Sequence, residues 1–579
     1  MKAPNFPKDA PFSDDQKSWL SGFLAGIKAV QTSTGHVADS TEKDPSKLLN
    51  VLYGTQTGNA ESLACETADA ARNFGIEAKV QGLDEIEIST FANMNNVIFT
   101  IATYGEGEMP DNAELFWKDL SNSDMPKLPN MKFGVLALGD TGYDEFCQAG
   151  KLIDMRLEQL GATRIIKRQD CDVDYEEVAS SWISNIMPKL SDNPKKTSFQ
   201  REVKSEKSVW NRKNPFTAVL STNRLLSKVG SSKEIRHFEV DLSDSGILYE
   251  AGDVINILPI NSPELVESII TRLGVESSFV PKGKSESIEA LLTSNYEIST
   301  PSKNLVAYIG DKIDHKELKS VLQSVNKEVL SEYLWGKDIL DLLNIDPNYT
   351  FDINDFLSNL KSLQHRAYSI SSSPMKYPNS IHMTISAVRW NKNDRTHLGV
   401  CSSYLSDRVP ESKSVKIFVT PNKSFRIPED SKTPMIMVGP GTGVAPFRAF
   451  LDEREMSKAT GDNWLFFGDQ TREFDFSYEE EFLNKMDSSL LTKLDLAFSR
   501  DQKEKVYVQD RMREKSKEMF EWLERGAHFY VCGDATRMAK DVDSALREII
   551  AQEGKMTPEN ADIYVNNLKR EKRYLRDVY

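Results

Sequence analysis

Three loops in the first third of the chain carry residues suited to holding a phosphate and a flat ring. Segment 54–59 (GTQTGN) offers hydroxyls and backbone N–H groups directly before an expected helix, and it lacks the lysine and spacing of a P-loop. Segments 102–107 (ATYGEG) and 138–143 (LGDTGY) each supply one tyrosine. A phosphate cradle with two aromatic walls predicts a bound mononucleotide with a planar ring, namely FMN.

The alternative for these loops is a glycine- and threonine-rich turn with tyrosines that serve only the core. Their shared position at the ends of successive predicted strands favours the FMN site, because ligands bind at that edge of an open parallel sheet. The residues expected to bind FMN are Thr55, Gln56, Thr57, Gly58, Asn59, Ala60, Ala102, Thr103, Tyr104, Gly105, Leu138, Gly139, Asp140, Tyr143, Phe146 and Cys147.

Residues near the C-terminus have the chemistry to bind a phosphorylated dinucleotide. Segment 438–447 (VGPGTGVAPF) follows an apolar run and opens a helix, although Val444 replaces the third glycine of the dinucleotide fingerprint. Ser499 and Arg500 precede segment 505–509 (KVYVQ), and this mixture of cations and hydroxyls suits a 2′-phosphate, with a solvated basic face as the alternative. We therefore expect NADPH rather than NADH. The expected contacts are Gly441, Thr442, Ser499, Arg500, Lys505, Val506, Tyr507, Val508, Gln509 and Asp541.

Composition excludes several other kinds of protein. The 579 residues carry 72 Lys+Arg against 87 Asp+Glu, a net charge of −15, which argues against nucleic acid or an anionic membrane as partner. The five cysteines are scattered without a C-x-x-C pair, and H-E-x-x-H is absent, so we expect no metal site or iron–sulfur cluster in this chain. The start has no signal-like apolar segment, and residues 19–30 are too short for a bilayer, so a cytosolic protein is expected.

The FMN loops are expected to stand on a five-stranded parallel sheet with flanking helices, because short apolar runs alternate with helical periodicity from residue 48. An amphipathic helix at 13–30 and a polar linker at 31–47 precede this sheet. The predicted strands are 48–53, 78–81, 97–102, 133–138 and 163–167, and the predicted helices are 60–74, 112–121, 146–160 and 176–190.

After a polar segment at 191–208, the pattern predicts an antiparallel barrel interrupted by helices over about 262–360. Alternation of strands and helices resumes after residue 434. The β-like segments of the barrel are 216–220, 237–242, 367–370, 381–388 and 414–420.

These motifs resemble those of the NADPH-dependent diflavin reductases from about residue 48 to Tyr579. The resemblance implies a flavodoxin-like FMN domain (48–190), a flexible linker (191–208), an FAD-binding barrel with a helical insertion (209–430) and a ferredoxin-reductase-type NADPH domain (431–579). Residues 1–47 are expected to form a separate N-terminal element, an amphipathic helix with a linker. The implied reaction is hydride transfer from NADPH to FAD, then single-electron transfer to FMN and to a protein acceptor.

The resemblance also implies the FAD site and the catalytic residues. Segment 366–373 (RAYSISSS) is similar to the family's R-x-Y-S motif, and segment 399–402 (GVCS) is similar to its second pyrophosphate loop. Ser369, Cys532 and Asp577 would orient the nicotinamide, and the terminal aromatic ring would cover the FAD ring. The implied FAD contacts are Arg366, Ala367, Tyr368, Ser369, Thr384, Ile385, Ser386, Trp390, Gly399, Val400, Cys401, Ser402 and Tyr579.

Each of these assignments has a structural alternative. Segment 366–373 could be a strand with an Arg–carboxylate pair. Cys532 could be an inert buried thiol, and Tyr579 could be a frayed terminus. Trp390 replaces a common tyrosine, and Cys401 replaces a common alanine.

Within this family, several strings are most similar to the flavoprotein subunit of assimilatory sulfite reductase. They are the residues around 138–148, segment 171–175 (CDVDY) and the ending 572–579 (KRYLRDVY). The similarity implies a haemoprotein partner with sirohaem and an iron–sulfur cluster, and a role in sulfur assimilation and cysteine biosynthesis. Acidic residues would steer a basic partner unless they form only a solvated face: Asp84, Glu85, Glu87, Glu106, Glu108, Asp111 and Glu114.

Two other functions stay open. A soluble diflavin reductase that serves a P450-type or other haem acceptor would carry the same motifs. A flavin-binding regulatory protein without turnover would be expected to have lost Ser369, Cys532 or the phosphate loops, and all are intact here. The segment 13–30 is a candidate for homo-oligomerisation.

Overall fold

The computed structural model describes residues 48–190 and 209–579, except residues 144 and 325. The predicted helix at 13–30 and the predicted linkers at 31–47 and 191–208 therefore lie outside the described residues. Among the described residues, no helix is long and apolar enough to cross a membrane.

A parallel sheet forms the centre of residues 48–190, with the order β2-β1-β3-β4-β5 and with β6 also paired to β4. Its inner strands are apolar runs buried on both faces, which is the pattern from which they were predicted. The strands are β1 (Leu49–Gly54), β2 (Ala78–Gly82), β3 (Asn96–Ala102), β4 (Lys132–Leu138), β5 (Thr163–Arg164) and β6 (Gln169–Cys171). The helices are α1 (Asn59–Asn73), α2 (Ile88–Phe91), α3 (Asp111–Ser121), α4 (Gln148–Gln159) and α5 (Glu176–Leu190).

The prediction of a single fifth strand at 163–167 is wrong. The strand Thr163–Arg164 pairs with β4, the Ile165 N–H still donates to the carbonyl of Phe133 at 2.8 Å, and the chain then returns to β4 as β6. In between, the carbonyl of Lys167 accepts a hydrogen bond from Trp182 Nε1 at 2.9 Å. This side-chain contact takes the place of strand pairing, so the sheet has six strands rather than five.

An antiparallel sheet in residues 209–430 has the order β10-β9-β14-β7-β8-β11. An isolated bridge between Ile370 and Met383 joins its two ends, so the sheet closes as the predicted barrel. The strands are β7 (Phe216–Leu225), β8 (Ile235–Asp241), β9 (Val254–Leu258), β10 (Arg366–Ser369), β11 (Ser380–Ser386), β12 (Arg389–Lys392), β13 (Arg395–Leu398) and β14 (Ser414–Thr420).

Two parts of this domain were not predicted from the sequence. The strand β9 has only five residues, which is too few to show a hydrophobic periodicity typical of a strand. The hairpin β12–β13 is mostly polar. The predicted helical insertion is present and has its own apolar core. Its helices are α6 (Pro263–Leu273), α7 (Ile288–Ser294), α8 (Lys303–Lys312), α9 (Lys316–Gln323), α10 (Lys327–Leu334), α11 (Ile339–Leu343) and α12 (Ile353–Ser358); α13 (Val400–Ser403) follows the hairpin.

A second parallel sheet, with the order β17-β16-β15-β18-β19, forms the C-terminal part. Its strands are β15 (Met435–Val438), β16 (Asn463–Asp469), β17 (Lys493–Phe498), β18 (His528–Gly533) and β19 (Tyr574–Val578). Its helices are α14 (Ala445–Met456), α15 (Arg472–Asp475), α16 (Glu479–Asp487), α17 (Val508–Glu514), α18 (Ser516–Glu524), α19 (Met538–Glu553) and α20 (Pro558–Arg570). The predicted combination of two α/β parts with an intervening barrel is confirmed.

Candidate active site

The loop after β1 forms an anion cradle at the start of α1. Gly58 has φ +84°, a left-handed conformation that favours glycine, and its N–H donates to Thr55 Oγ1 at 3.0 Å. The N–H of Thr55 donates to Asn112 Oδ1 at 2.8 Å, which fixes the loop. No described side chain caps α1, so its first N–H groups and the Thr57 hydroxyl can face a ligand oxygen.

The two tyrosine-bearing loops line a cavity of about 2340 Å³ that also reaches Tyr579. Tyr143 is 50% exposed, whereas Tyr104 Oη donates to the carbonyl of Val578 at 3.0 Å. Desolvation raises the pKa of both phenols, so both stay neutral at physiological pH. The predicted FMN residues on the cavity wall are Thr57, Gly58, Asn59, Ala102, Thr103, Tyr104, Gly105, Leu138, Gly139, Asp140, Tyr143, Phe146 and Cys147.

Other predicted FMN residues do not line the cavity but contact the residues that do. Thr55 is buried beneath the cradle, Gln56 Nε2 donates to Asp111 Oδ2 at 3.4 Å, and the carbonyl of buried Ala60 accepts from Thr100 Oγ1 at 2.9 Å. They therefore shape the loop rather than line the cavity.

The predicted FAD strand β10 lies beside the start of α13. Arg366 donates to Glu297 Oε2 at 2.9 Å and to the carbonyl of Gln364 at 2.9 Å. The Tyr368 hydroxyl faces the thiol of Cys401, whose pKa burial raises to about 12. The two predicted pyrophosphate elements thus meet, with Arg366 and Gly399–Ser402 at one location.

Ser402 has a structural partner as well. Its Oγ accepts a hydrogen bond from the N–H of Val388 at 3.1 Å, which ties the start of α13 to the end of β11. Gly399 reinforces this link by donating to the carbonyl of Val388 at 2.9 Å.

The remaining predicted FAD residues point to protein partners. The buried Thr384 hydroxyl hydrogen-bonds Tyr478 Oη at 2.7 Å, and Ile385 belongs to the barrel core, whereas Ser386 is half-buried at the end of β11. Trp390 donates to the carbonyl of Gly336 at 2.9 Å and stacks on the His397 ring at 5.4 Å between centroids. The structure does not bring Thr384 or Ile385 to an open surface.

Three side chains from separate strands meet next to this barrel wall. Ser369 Oγ donates to Asp577 Oδ2 at 2.6 Å, and the Cys532 thiol donates to the same oxygen at 3.8 Å. Burial raises the pKa of the Asp577 carboxyl, and it raises the pKa of the Cys532 thiol well above its usual range. Cys532 is therefore a neutral hydrogen-bond donor rather than a thiolate nucleophile.

The terminal residue Tyr579 is held by its backbone, and the residue as a whole remains 60% exposed. Its N–H donates to the carbonyl of Gly533 at 3.0 Å, and its own carbonyl accepts from the N–H of Ala535 at 3.1 Å. The hydroxyl hydrogen-bonds Thr442 Oγ1 at 3.0 Å. The chain end is thus a fixed strand continuation that presents a ring to the cavity.

The predicted dinucleotide loop after β15 approaches β18 closely. Gly441 has φ +58°, and a Cβ on Gly443 would lie 2.1 Å from the carbonyl oxygen of Cys532. Glycine is required at 443 because this backbone contact leaves no room for a side chain. The loop and the Cys532 strand end are therefore adjacent.

The predicted 2′-phosphate residues form a basic surface at the ends of β17 and the start of α17. The N–H groups of Ser499 and Arg500 donate to the carbonyls of Asp469 and Gln470 at 2.9 and 2.7 Å, which leaves the Arg500 guanidinium exposed. Lys505 and Tyr507 are also exposed, and Val506 is half-buried while Val508 is buried. Gln509 Nε2 donates to Asp541 Oδ2 at 3.3 Å.

Sequence reasoning missed a buried carboxylate beside the dinucleotide loop. Asp469 Oδ1 pairs with Lys233 Nζ at 2.5 Å, while Oδ2 has no hydrogen-bond partner among the described residues. A Cβ on Gly441 would lie 3.7 Å from that oxygen. The available signal was the position of Asp469 at the end of the apolar run 463–469 (NWLFFGD), since ligands bind at the carboxyl ends of parallel strands.

Two groups of side chains in the described part of the chain are close enough to hold a metal ion: His237, Glu239 and His382, and Asp338, Asp341 and His397. Each group already contacts an arginine. Arg448 approaches His382 Nδ1 at 3.2 Å, and Arg395 donates to Asp338 Oδ1 at 2.6 Å. A cation in direct contact disfavours a metal ion at either position.

Several acidic residues predicted to steer a partner are paired inside the chain. They lie against basic side chains at the end of α20, in the turn after it and in β19. Most of these side chains are partly exposed, so salt should weaken the ion pairs. The pairs are Asp84 and Glu85 with Lys572, Asp111 with Arg576, and Glu114 with Lys569 and Arg576.

Comparison with known proteins agrees with this arrangement. Three family models match: flavodoxin over residues 51–182, FAD binding domain over 209–404 and oxidoreductase NAD-binding domain over 437–544. A protein of Bacillus subtilis named sulfite reductase (NADPH) flavoprotein alpha-component is 40% identical, covering 98% of this chain and 96% of its own. Proteins of the same name from Vibrio cholerae (39%; 97% and 93%) and Mannheimia succiniciproducens (40%; 97% and 96%) are similar over comparable lengths.

Proposed function

The chain belongs to the family of sulfite reductase (NADPH) flavoprotein alpha-components, and we propose on this basis that its electron acceptor is the haemoprotein of a sulfite reductase. The observation that carries the proposal is 40% identity over 98% of the chain to a relative of that name. Sulfite would then be reduced to sulfide on the partner, in the service of sulfur assimilation and cysteine biosynthesis.

The chain itself is an NADPH-dependent flavoprotein oxidoreductase that binds FMN, FAD and NADPH and carries electrons from NADPH through FAD to FMN. When bound, the two flavins convert a two-electron donor into single electrons. The residues present suit these groups. The start of α1 has no side-chain cap and lies on the cavity wall, which suits a phosphate, and the exposed Arg500 and Lys505 suit a 2′-phosphate.

We assign the orientation of the nicotinamide to Ser369, Cys532 and Asp577. The Asp577 carboxylate accepts hydrogen bonds from both other side chains, which fixes the Ser369 hydroxyl and the Cys532 thiol relative to each other. An oriented, partly desolvated carboxylate would stabilise positive charge that develops on a nicotinamide bound beside it. The other predicted contact residues keep their proposed roles, except that we propose supporting rather than contact roles for the buried or loop-fixing residues Thr55, Gln56, Ala60, Thr384 and Ile385.

Replacing Asp577 by asparagine is expected to stabilise the fold at neutral pH. Burial raises the folded-state pKa of this carboxyl above its unfolded value, so its contribution to stability is full below the unfolded pKa and is lost as pH rises through the folded pKa. The neutral amide of an asparagine side chain carries no charge to desolvate. Melting of the holoenzyme should therefore show a higher Tm for Asp577→Asn than for the parent at pH 7, and a smaller difference at acidic pH. A lower Tm at pH 7 would contradict the electrostatic account.

Removing the Tyr579 ring is expected to relax discrimination against NADH. In the proposed role the ring covers the FAD and must move before a nicotinamide can stack, so the competent fraction rises when the ring is absent. We expect Tyr579→Ala to raise kcat/KM for NADH about tenfold, measured by ferricyanide reduction. Tyr579→Phe keeps the ring and loses only the contact with Thr442 Oγ1, so it should stay close to the parent. Unchanged selectivity in Tyr579→Ala would refute the gating role.

The acceptor is tested by mixing the purified chain with a sirohaem sulfite reductase haemoprotein from the same organism and measuring NADPH-dependent sulfide production. Ferricyanide reduction is the internal control for flavin turnover. Sulfide together with ferricyanide activity supports the sulfite reductase assignment. Ferricyanide activity without sulfide would direct the search to a P450-type or other haem acceptor.

We further propose the domain division 48–190, 209–430 and 431–579 with a flexible linker at 191–208, a cytosolic location, and homo-oligomerisation through residues 13–30. No disulfide joins the described cysteines, which suits a reducing compartment. Homo-oligomerisation is tested by measuring the molar mass in solution of the full chain and of a chain that lacks residues 1–47. An equal number of subunits in both would refute the role of residues 13–30.

A further inference from the structure

The C-terminal strand β19 carries, on consecutive residues, contacts to different parts of the molecule. Arg576 Nε donates to Asp111 Oδ2 at 3.2 Å, and Asp577 accepts from Ser369 Oγ at 2.6 Å. The carbonyl of Val578 accepts from Tyr104 Oη at 3.0 Å. One short strand therefore connects the proposed FMN site with the proposed hydride-transfer site.

The position of β19 in its sheet makes the contact with Tyr104 significant. The strand lies at the edge of the order β17-β16-β15-β18-β19, so its outward carbonyls have no neighbouring strand. The hydroxyl of Tyr104 supplies a donor to one of these carbonyls, immediately before the terminal ring. Tyr104 and Val578 are 474 positions apart in sequence, so only packing of residues 48–190 against the C-terminal sheet creates this bond.

An ion pair beside the Tyr104–Val578 hydrogen bond also restrains β19. Arg576 is held between Asp111 and Glu114, both on α3. These two carboxylates stabilise the charged guanidinium and raise the pKa of Arg576. Both restraints on β19 come from residues 48–190 and disappear together when those residues move away.

We propose that Tyr104, besides its place in the FMN site, is a positioning residue for the hydride-transfer site. Docking of residues 48–190 through Tyr104 and Asp111 steadies β19, and with it Asp577 and the Tyr579 ring. Undocking loosens the strand end and eases displacement of that ring by a nicotinamide. By linkage, displacement of the ring weakens docking equally, so nucleotide exchange is favoured while FMN visits its acceptor. This inference rests on the proposed role of Tyr579.

Tyr104→Phe in the full-length holoenzyme tests the proposal, because it keeps the aromatic ring and removes only the hydroxyl. Hydrogen exchange of the backbone amides of residues 574–579, measured by mass spectrometry without nucleotide, should become about fivefold faster, as expected for loss of one hydrogen bond. In the same variant, kcat/KM for NADH with ferricyanide should rise. FMN content, determined by release and fluorescence, distinguishes loss of the Val578 contact from loss of the cofactor.

Lys423→Gln is the matched control. Lys423 Nζ pairs with Glu61 Oε1 at 2.6 Å, so this variant removes a contact between residues 48–190 and the barrel without touching β19. Its exchange at 574–579 should rise less than in Tyr104→Phe, because Tyr104 and Asp111 still contact β19 directly. If Tyr104→Phe left this exchange unchanged, or if Lys423→Gln raised it equally, the positioning role of Tyr104 would be refuted.

If Tyr104→Phe loses its FMN, a second variant still tests the proposal. Asp111→Asn weakens the pair with Arg576 and should also accelerate exchange at 574–579; normal exchange in this variant would overturn the proposal. Because exchange is measured without turnover, it separates this inference from the acceptor assignment. Faster exchange with unchanged NADH selectivity would show that the strand is restrained but that Tyr579 does not gate, which overturns the link to nucleotide access.

Discussion

Replacing Ser369 by alanine is expected to slow reduction of FAD by NADPH by about two orders of magnitude while FAD stays bound. The hydroxyl donates to Asp577 Oδ2 at 2.6 Å, and that oxygen also receives the Cys532 thiol at 3.8 Å. Loss of the hydroxyl leaves the carboxylate free to turn and the nicotinamide without a fixed neighbour. Anaerobic stopped-flow bleaching of the flavin absorbance in a single turnover measures the step directly. Cys532→Ala should have a smaller effect in the same direction, because its contact is longer.

Ser371→Ala is the matched control for this experiment. Ser371 lies two residues further along, is fully buried, and its hydroxyl has no hydrogen-bond partner among the described side chains and backbone groups. Its removal should leave the rate of flavin reduction unchanged. Loss of FAD from Ser369→Ala, rather than slow reduction, would mean that the residue is structural.

The second large effect is expected from Arg500→Ala. Its guanidinium is exposed beside Ser499 and has no carboxylate partner in the described part of the chain, so it is available to a 2′-phosphate. A charge-assisted hydrogen bond contributes about 1.5–3 kcal/mol, which corresponds to a fall in kcat/KM for NADPH of about 10- to 100-fold. The kcat/KM for NADH, which lacks the 2′-phosphate, should not change.

Lys503→Ala separates this specific contact from general attraction. Lys503 is an exposed cation in the same loop and was not predicted to touch the nucleotide. Steady-state kinetics with both nucleotides should show a small effect that salt removes. An equal loss in Lys503→Ala and Arg500→Ala, or a parallel loss for NADH, would argue for a diffuse basic surface instead of a 2′-phosphate site.

Much of the fold was predictable because its signals are local. The runs at 97–102 and 133–138 are apolar on both faces of the strand, and each is followed by a loop with a tyrosine, so strand, loop and sheet edge could be inferred together. The glycine at 443 and the string around it marked the dinucleotide loop for a steric reason that the structure shows, namely the approach to Cys532. The catalytic trio, in contrast, came from resemblance and not from any pattern in the residues themselves.

Residue order and hydrophobic periodicity alone determined the alternation of strands and helices, the phosphate-binding loops and the basic 499–509 segment, because these depend on local backbone preferences and burial. Only the tertiary structure decided which distant groups meet. It placed Ser369 against Asp577, 208 positions away, turned Thr384 toward Tyr478, and joined Tyr104 to Val578. It also split the strand predicted at 163–167 through the Trp182 contact. Such contacts arise from packing between separate elements, and hydrophobic periodicity within one element carries no information about its partner.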